Sequence, residues 1–167
     1  KMPKIQGPEK LKSDLELRKD LKSKIPKDYL PMWLREREIE TRQVEPVDLL
    51  KAEKLPPYRS TWMKPTGKLP SDERIHQALL LYVSDMGLLG AAVNPHEVNF
   101  MSKKFQSASL DHVMWFHGKV NFNNWVLHHM HSPISQNARG FSRGSIYTKA
   151  GKLIASTAQE GLMRIWD

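Results

Sequence analysis

Three polar residues stand where apolar ones would be easier to bury. Asp85 lies within residues 78–93, the most apolar stretch of the chain. A carboxylate there costs several kcal/mol unless it is hydrogen-bonded or functional. The bland alternative is an aspartate in the last turn of a helix that reaches solvent. Gln159 shares one strand face with Leu153, Ala155, Thr157, Gly161 and Met163, and a buried amide needs a partner or a role. Ser109 shares a face, by the same alternation, with Ser107, Asp111, Val113 and Trp115. Each residue also has an ordinary structural reading when taken alone.

Two other patterns carry less. Gly140-Phe141-Ser142-Arg143-Gly144 matches G-x-S-x-G, the nucleophile elbow of α/β-hydrolases. That elbow needs a strand–turn–helix context and a histidine later in the chain. The last histidine is His131, and no helical pattern follows Gly144, so the glycines read as strand features. Five of the seven histidines fall between His112 and His131. With no cysteine and only Asp111 nearby, they make an unspecific zinc site, and surface or satisfied histidines are the simpler reading.

The elements that must position these residues are legible from periodicity. Residues 39–44 and 58–63 read as strands, the second ended by Pro65-Thr66-Gly67. Ser71 as N-cap, followed by Asp72 and Glu73, starts a helix. Ile75, Ala78, Leu79, Tyr82, Val83, Met86 and Leu89 follow at helical spacing, with Leu80 and Leu81 filling the gaps. The pattern predicts a buried central helix, apolar nearly all round and ended by Gly87 and Gly90. Strand-like segments follow at 107–117, 124–131, 140–148 and 152–165, with a hairpin at Lys149-Ala150-Gly151. Long antiparallel strands around one buried helix make an α+β pattern. Residues 1–38 differ: they are rich in Lys, Asp, Glu and Pro, with Leu11, Leu15 and Leu21 as a thin apolar stripe. They read as a solvated connector helix. The interspersed acids Glu9, Asp14, Glu16, Asp20 and Asp28 argue against an arm that tracks phosphates.

Composition narrows the classes. The chain has 167 residues, 40% hydrophobic and 26% charged, which suffices for a core. The absence of cysteine removes disulfide scaffolds, thiolate metal sites and cysteine nucleophiles. The net charge of +8 favours a polyanionic partner. No run reaches the roughly 18 to 20 uninterrupted apolar residues of a membrane span. The charged N-terminus does not read as a signal peptide. A nucleic-acid-binding module is disfavoured, because Lys/Arg are not interleaved with an aromatic face.

A resemblance ties the fragments together. The run SLDHVMWFH at 109–117 resembles the SLDHxMWFH motif of the acyl-CoA thioesterase II family. The helix end YVSDMGLL at 82–89 resembles that family's Y-x-S-D-x-x-x-L, and NWVL at 124–127 its D-W-L-L. Ser132-Pro133 with Ala138-Arg139-Gly140 resembles its SP…ARG, GKLIAS at 151–156 its G-x-L-V-A-S, and AQEGLMR at 158–164 its AQEGLMR. The matches run in order from about Ile39 to Arg164.

The resemblance implies a hotdog fold, an antiparallel sheet wrapped around one long helix, in a protein built of two fused hotdogs. This chain resembles the C-terminal one: residues 1–38 would be the connector, residues 39–167 the C-terminal hotdog domain, and the N-terminal hotdog is missing. The implied activity is hydrolysis of fatty acyl-CoA to fatty acid and CoA, with no cofactor and no metal. Carried over by motif, the catalytic set falls on Asp85, Ser109 and Gln159; many members carry Thr where this chain has Ser109. Asp85 and Gln159 would position and activate one water while Ser109 holds its geometry, with backbone donors for the oxyanion. Asp111 and His112 read as structural or supporting residues. An apolar tunnel beside the helix would take the acyl chain. The implied partners are acyl-CoA and another hotdog domain, from the same protein or a second copy, with neither nucleic acid nor a transmembrane segment. The alternative is a non-catalytic half that binds acyl-CoA or only its partner domain. The implied compartment is peroxisomal in a eukaryote and cytoplasmic otherwise.

Overall fold

The computed structural model describes every residue except Leu49, Asn99, Met101 and Asp167. Seven strands form one antiparallel sheet: β1 (Ile39–Gln43), β2 (Tyr58–Pro65), β3 (Phe105–Ser109), β4 (Val113–Phe116), β5 (Val126–Gln136), β6 (Arg139–Thr148) and β7 (Leu153–Ile165). The spatial order is β1-β2-β5-β6-β7, with β3 and β4 both on the far side of β7. Four helices are present: α1 (Asp14–Asp20), α2 (Leu30–Trp33), α3 (Glu73–Asp85) and α4 (Leu88–Val93). Helices α3 and α4 lie on one face of the sheet, the α+β arrangement that the alternation and the resemblance both imply.

Alternation decides which side chains meet the helices. Met63, Val126, Ile146 and Ala155 point inward and join Ile39, Leu80, Val83, Val120, Phe122 and Ile154 in the main core. Each such side chain contributes about 1.5–3 kcal/mol of hydrophobic stabilisation. Their sequence neighbours Trp62, Leu127 and Tyr147 point to the opposite face and are also buried. What covers them is the N-terminal segment: Met2, Ile5 and Leu11 pack there beside Val44 and Trp125. The Trp62 indole donates to the Gln6 carbonyl at 2.9 Å. Arg42 stacks over Trp125 at 5.1 Å and donates to the carbonyls of Pro8 and Leu11 at 2.7 and 3.2 Å. Residues 1–38 therefore form a strap against the sheet, not a solvated helix. Only seven residues of the strap, in α1, and four in α2 are α-helical. The buried Arg18 links the two helices, donating to the Trp33 carbonyl while the Trp33 indole donates to the Arg18 carbonyl.

The central helix departs from its sequence reading in three ways. Its N-cap is Asp72, not Ser71: the Asp72 carboxylate accepts from the Arg74 backbone at 3.0 Å and pairs with the Arg74 guanidinium at 2.7 Å. A carboxylate satisfies the first-turn N–H groups and the dipole together, which a serine cannot. The helix does not simply end at Gly87 and Gly90. It breaks at Gly87, whose φ of 91° is left-handed, and resumes as α4 through Gly90. Nor is it buried all round. Leu80, Val83 and Ser84 are buried, but Ile75, Leu81, Tyr82 and Met86 are exposed, Tyr82 by 61%. By length and composition residues 73–96 could cross a membrane, yet half of that stretch is buried on the sheet. The apolar run is thus accounted for by the core on one side and an uncovered face on the other.

The segment expected as one strand at 107–117 is two strands, interrupted at 110–112. The strand expected at 124–131 is longer, since β5 passes Pro133 through a register shift between His131 and Ile134. The hairpin at 149–151 is present, with Gly151 N–H donating to the Thr148 carbonyl at 2.8 Å. The G-x-S-x-G residues lie mid-strand in β6, as the strand reading requires. Gly140 lets α4 approach the sheet: a Cβ there would lie 2.5 Å from the Ala92 Cβ. Gly144 leaves room for His128, whose ring nitrogen would sit 2.1 Å from an added Cβ.

Two predictions follow from this packing. Gly140→Ala should cost about 1–3 kcal/mol by overpacking, because the Ala92 Cβ cannot swing away; denaturant unfolding measures it. His128 is fully buried, which, with the charges of His112 and His129, pushes its pKa down from 6.5 to about 3. The folded ring stays neutral over that range while the unfolded chain takes up a proton. Stability should therefore fall as pH drops below 6.5, by up to ~1.4 kcal/mol per pH unit. His129, lowered by burial, acts in the same direction. Unfolding midpoints at neutral and mildly acidic pH should show the slope, and His128→Gln should reduce it.

Candidate active site

The three residues singled out in the sequence come from three distant elements and meet at one point. Asp85 is the last residue of α3. A carboxylate at a helix C-terminus faces the negative end of the dipole and is unfavourable there unless donors are brought to it. The sheet brings two. The Ser109 hydroxyl, at the end of β3, donates to Asp85 Oδ1 at 3.1 Å. The Gln159 amide nitrogen, from the middle of β7, donates to the same oxygen. No described residue hydrogen-bonds Asp85 Oδ2, and the side chain is 49% exposed. Asp85 therefore differs from the buried carboxylate that the apolar run suggested, because the helix face carrying it is uncovered. Gln159 is 1% exposed, and Ser109 lies at the surface.

A fourth residue joins them. His112 Nδ1 lies 3.3 Å from the Gln159 amide nitrogen and 3.9 Å from Asp85 Oδ1. Its Nε2 is 2.8 Å from the Ser84 hydroxyl, which itself donates to the Leu81 carbonyl at 2.8 Å. Ser84 has spent its proton on that carbonyl, so it accepts from His112. That assigns the Nε2–H tautomer and leaves Nδ1 as an acceptor for the Gln159 amide. The amide nitrogen thus donates to two acceptors, one on each side. Neither Ser84 nor this role for His112 is legible from residue types alone. The only signal is their place in the YVSD and SLDH motifs.

The interruption between β3 and β4 makes the meeting possible. Ser109 and His112 are three residues apart, and on a regular strand they would face opposite sides. Here the ladder pauses. Leu110 and Asp111 both donate to the Glu160 carbonyl, and the Asp111 carboxylate accepts from the Glu160 N–H at 2.7 Å. Asp111 thus supplies the ladder bond that the interruption omits, a structural role. Among the other histidines, His129 pairs with Ser60 at 3.0 Å and His117 with Ser156 at 2.8 Å, while the buried His128 meets Thr157 through Nε2 only. Among the described residues no cluster of His, Asp and Glu could hold a metal.

The surroundings are apolar and open. Leu110 and Phe116 are exposed by 53% and 37%, while Val113 and Trp115 are exposed on the opposite face of the sheet. A groove of about 480 Å³ runs between the strap and α3, lined by Met32, Arg35, Arg37, Glu38, Tyr82 and Met86 among others. It is an open groove, where a tunnel was anticipated.

The comparisons with known proteins bear on this arrangement. A model of the acyl-CoA thioesterase family matches residues 33–162. The chain belongs to the acyl-CoA thioesterase family. It is 34% identical over 163 residues to acyl-CoA thioesterase 2 of Haemophilus influenzae, covering 98% of this chain and 57% of that protein. It superposes on the crystal structure of an acyl-CoA thioesterase II from Mycobacterium marinum with a TM-score of 0.72 and 28% identity, over 98% of this chain and 56% of that one. A protein of hotdog fold from Alicyclobacillus acidocaldarius, 14% identical, superposes with a TM-score of 0.66, covering 98% of this chain and 55% of that one. The fold is a hotdog, and the chain spans little more than half the length of these relatives.

The hydrogen-bond chain of this thioesterase-family domain makes a prediction. Ser84→Ala would leave the His112 N–H without its acceptor at a fully buried position. It should cost about 1–3 kcal/mol, and denaturant unfolding measures this. The loss should come with a change in the His112 ring tautomer, visible in nitrogen NMR shifts.

Proposed function

We propose that this chain is the catalytic half of an acyl-CoA thioesterase, hydrolysing fatty acyl-CoA to fatty acid and CoA. The observation that carries the reading is the half-exposed Asp85 carboxylate, with Oδ1 held by Ser109 and Gln159 and Oδ2 without a partner among the described residues. Oδ2 takes a proton from one water, which attacks the thioester carbonyl. Donation from Ser109 and Gln159 fixes the carboxylate plane, so the water is presented in one orientation. A thiolate leaves readily, so modest base assistance suffices. Attack by Ser109 itself fits less well. No histidine reaches its hydroxyl, since His112 is turned toward Gln159 and Ser84.

Acyl-CoA combines an apolar tail with a polyphosphate. The groove beside α3 combines Met32, Tyr82 and Met86 with Arg35 and Arg37, which fits that mixture. The exposed apolar side chains Tyr82 and Met86 on α3 and Phe116 on the same side of the sheet favour a second hotdog domain seated over this face. That domain would exclude water from all but the attacking position. The N-terminal half of the same protein is the first candidate for it, and a second copy of this chain is the other.

Thiol release from a long-chain acyl-CoA tests the reading, with and without the remainder of the full-length protein. Gln159→Ala should lower kcat by about 10²–10³, because the carboxylate loses its buried donor. Activity unchanged by Gln159→Ala would overturn the proposed mechanism. Activity of this chain alone would mean that a second copy supplies the covering domain.

A further inference from the structure

The serine of the G-x-S-x-G run has no nucleophilic context, yet it is among the most buried polar residues described. Ser142 is 0% exposed, and its hydroxyl has no hydrogen-bond partner among the described residues. Its cross-strand partner is Gln159, directly opposite on β7. Gln159 Oε1 is likewise buried and without a partner. Both side chains point to the concave face of the sheet, where directly opposed Cβ atoms stand about 4.5–5.5 Å apart. The two atoms do not bond directly here, and at that separation of the strands one water can join a hydroxyl to an amide oxygen.

We infer that Ser142 is a positioning residue for Gln159, its hydroxyl holding the amide oxygen so that the amide nitrogen faces Asp85. This rests on the reading of Asp85 and Gln159 under "Proposed function". The amide has two orientations related by a half-turn. In the observed one its nitrogen donates to Asp85 Oδ1 and to His112 Nδ1, both acceptors. The half-turned amide would set its oxygen against a carboxylate and a nitrogen lone pair, two repulsive contacts. The observed orientation leaves the oxygen facing the sheet, where it needs a donor. Ser142 is the donor at that row. The third buried atom without a partner, His128 Nδ1, belongs to the neighbouring row, where His128 Nε2 already meets Thr157 at 3.2 Å. One water held between Ser142 and Gln159 satisfies both orphan atoms and keeps the amide from turning. Ser142 lies beneath the site rather than on the open side where acyl-CoA would enter, so it acts on turnover and leaves binding alone.

The test is a double-mutant cycle in the full-length protein that carries this chain, using Ser142→Ala, Gln159→Leu and both together. Ser142→Ala removes one oxygen and adds nothing, so the fold is retained. It should lower kcat for thiol release by about tenfold, with KM changed by less than about twofold. It should lower the unfolding midpoint when Gln159 is present, and leave it unchanged or raised in the Gln159→Leu background, where the serine has nothing to hold. An unchanged kcat for Ser142→Ala overturns the inference. So does an equal fall in midpoint in both backgrounds, which would mean that the serine holds some other group. Full activity of Gln159→Leu would instead overturn the reading of the active site, and the midpoints would still decide whether the two side chains are coupled.

Discussion

A carboxylate at the C-terminal end of a helix is the constraint on which the rest of this structure turns. Asp85 ends α3 with the helix dipole against it and no cation beside it among the described residues. It is held because the sheet delivers a hydroxyl and an amide to one of its oxygens. The amide is in turn held by His112, and His112 by Ser84, on the same helix as Asp85. The chain of donors closes on itself: it leaves α3 at Asp85, crosses β7 at Gln159 and the interruption at His112, and returns to α3 at Ser84. A loop of this kind fixes the distance between helix and sheet as well as the orientation of each member.

Two local departures from regular structure make that loop fit. The left-handed turn at Gly87 ends α3 where the carboxylate is needed and allows α4 to descend onto the sheet over Gly140. The interruption at 110–112 turns Ser109 and His112 toward the same point, and Asp111 supplies the backbone partner that the pause removes. Both departures lie where the polar residues converge.

The two faces of the sheet are treated differently. The outer face is covered by the chain's own first residues, through Met2, Ile5 and Leu11 against Trp62, Leu127 and Tyr147. The helix side is covered only in part, leaving Tyr82, Met86 and Phe116 exposed there. The chain spans little more than half the length of its relatives, and the exposed apolar side chains on the helix side are the basis for proposing a second hotdog domain over them.

Periodicity made the strands and the central helix visible, because alternation and helical spacing are local properties of the chain. The motifs placed Asp85, Ser109 and Gln159, and composition excluded thiol and disulfide chemistry. The sequence could not show which faces would be covered: the same apolar pattern describes a helix buried all round and one half-exposed to await a partner. It misplaced the N-cap by one residue, since Ser71 and Asp72 both cap well and the choice depends on Arg74. It read one strand across 107–117, because the interruption is set by a contact with Glu160, fifty positions away. What the sequence by itself determined was most of the list of elements and the candidate residues for chemistry, both read from neighbours along the chain. Tertiary structure decided the tautomer of His112, the orientation of Gln159 and the exposure of Asp85, because each depends on atoms that only folding brings within hydrogen-bond reach.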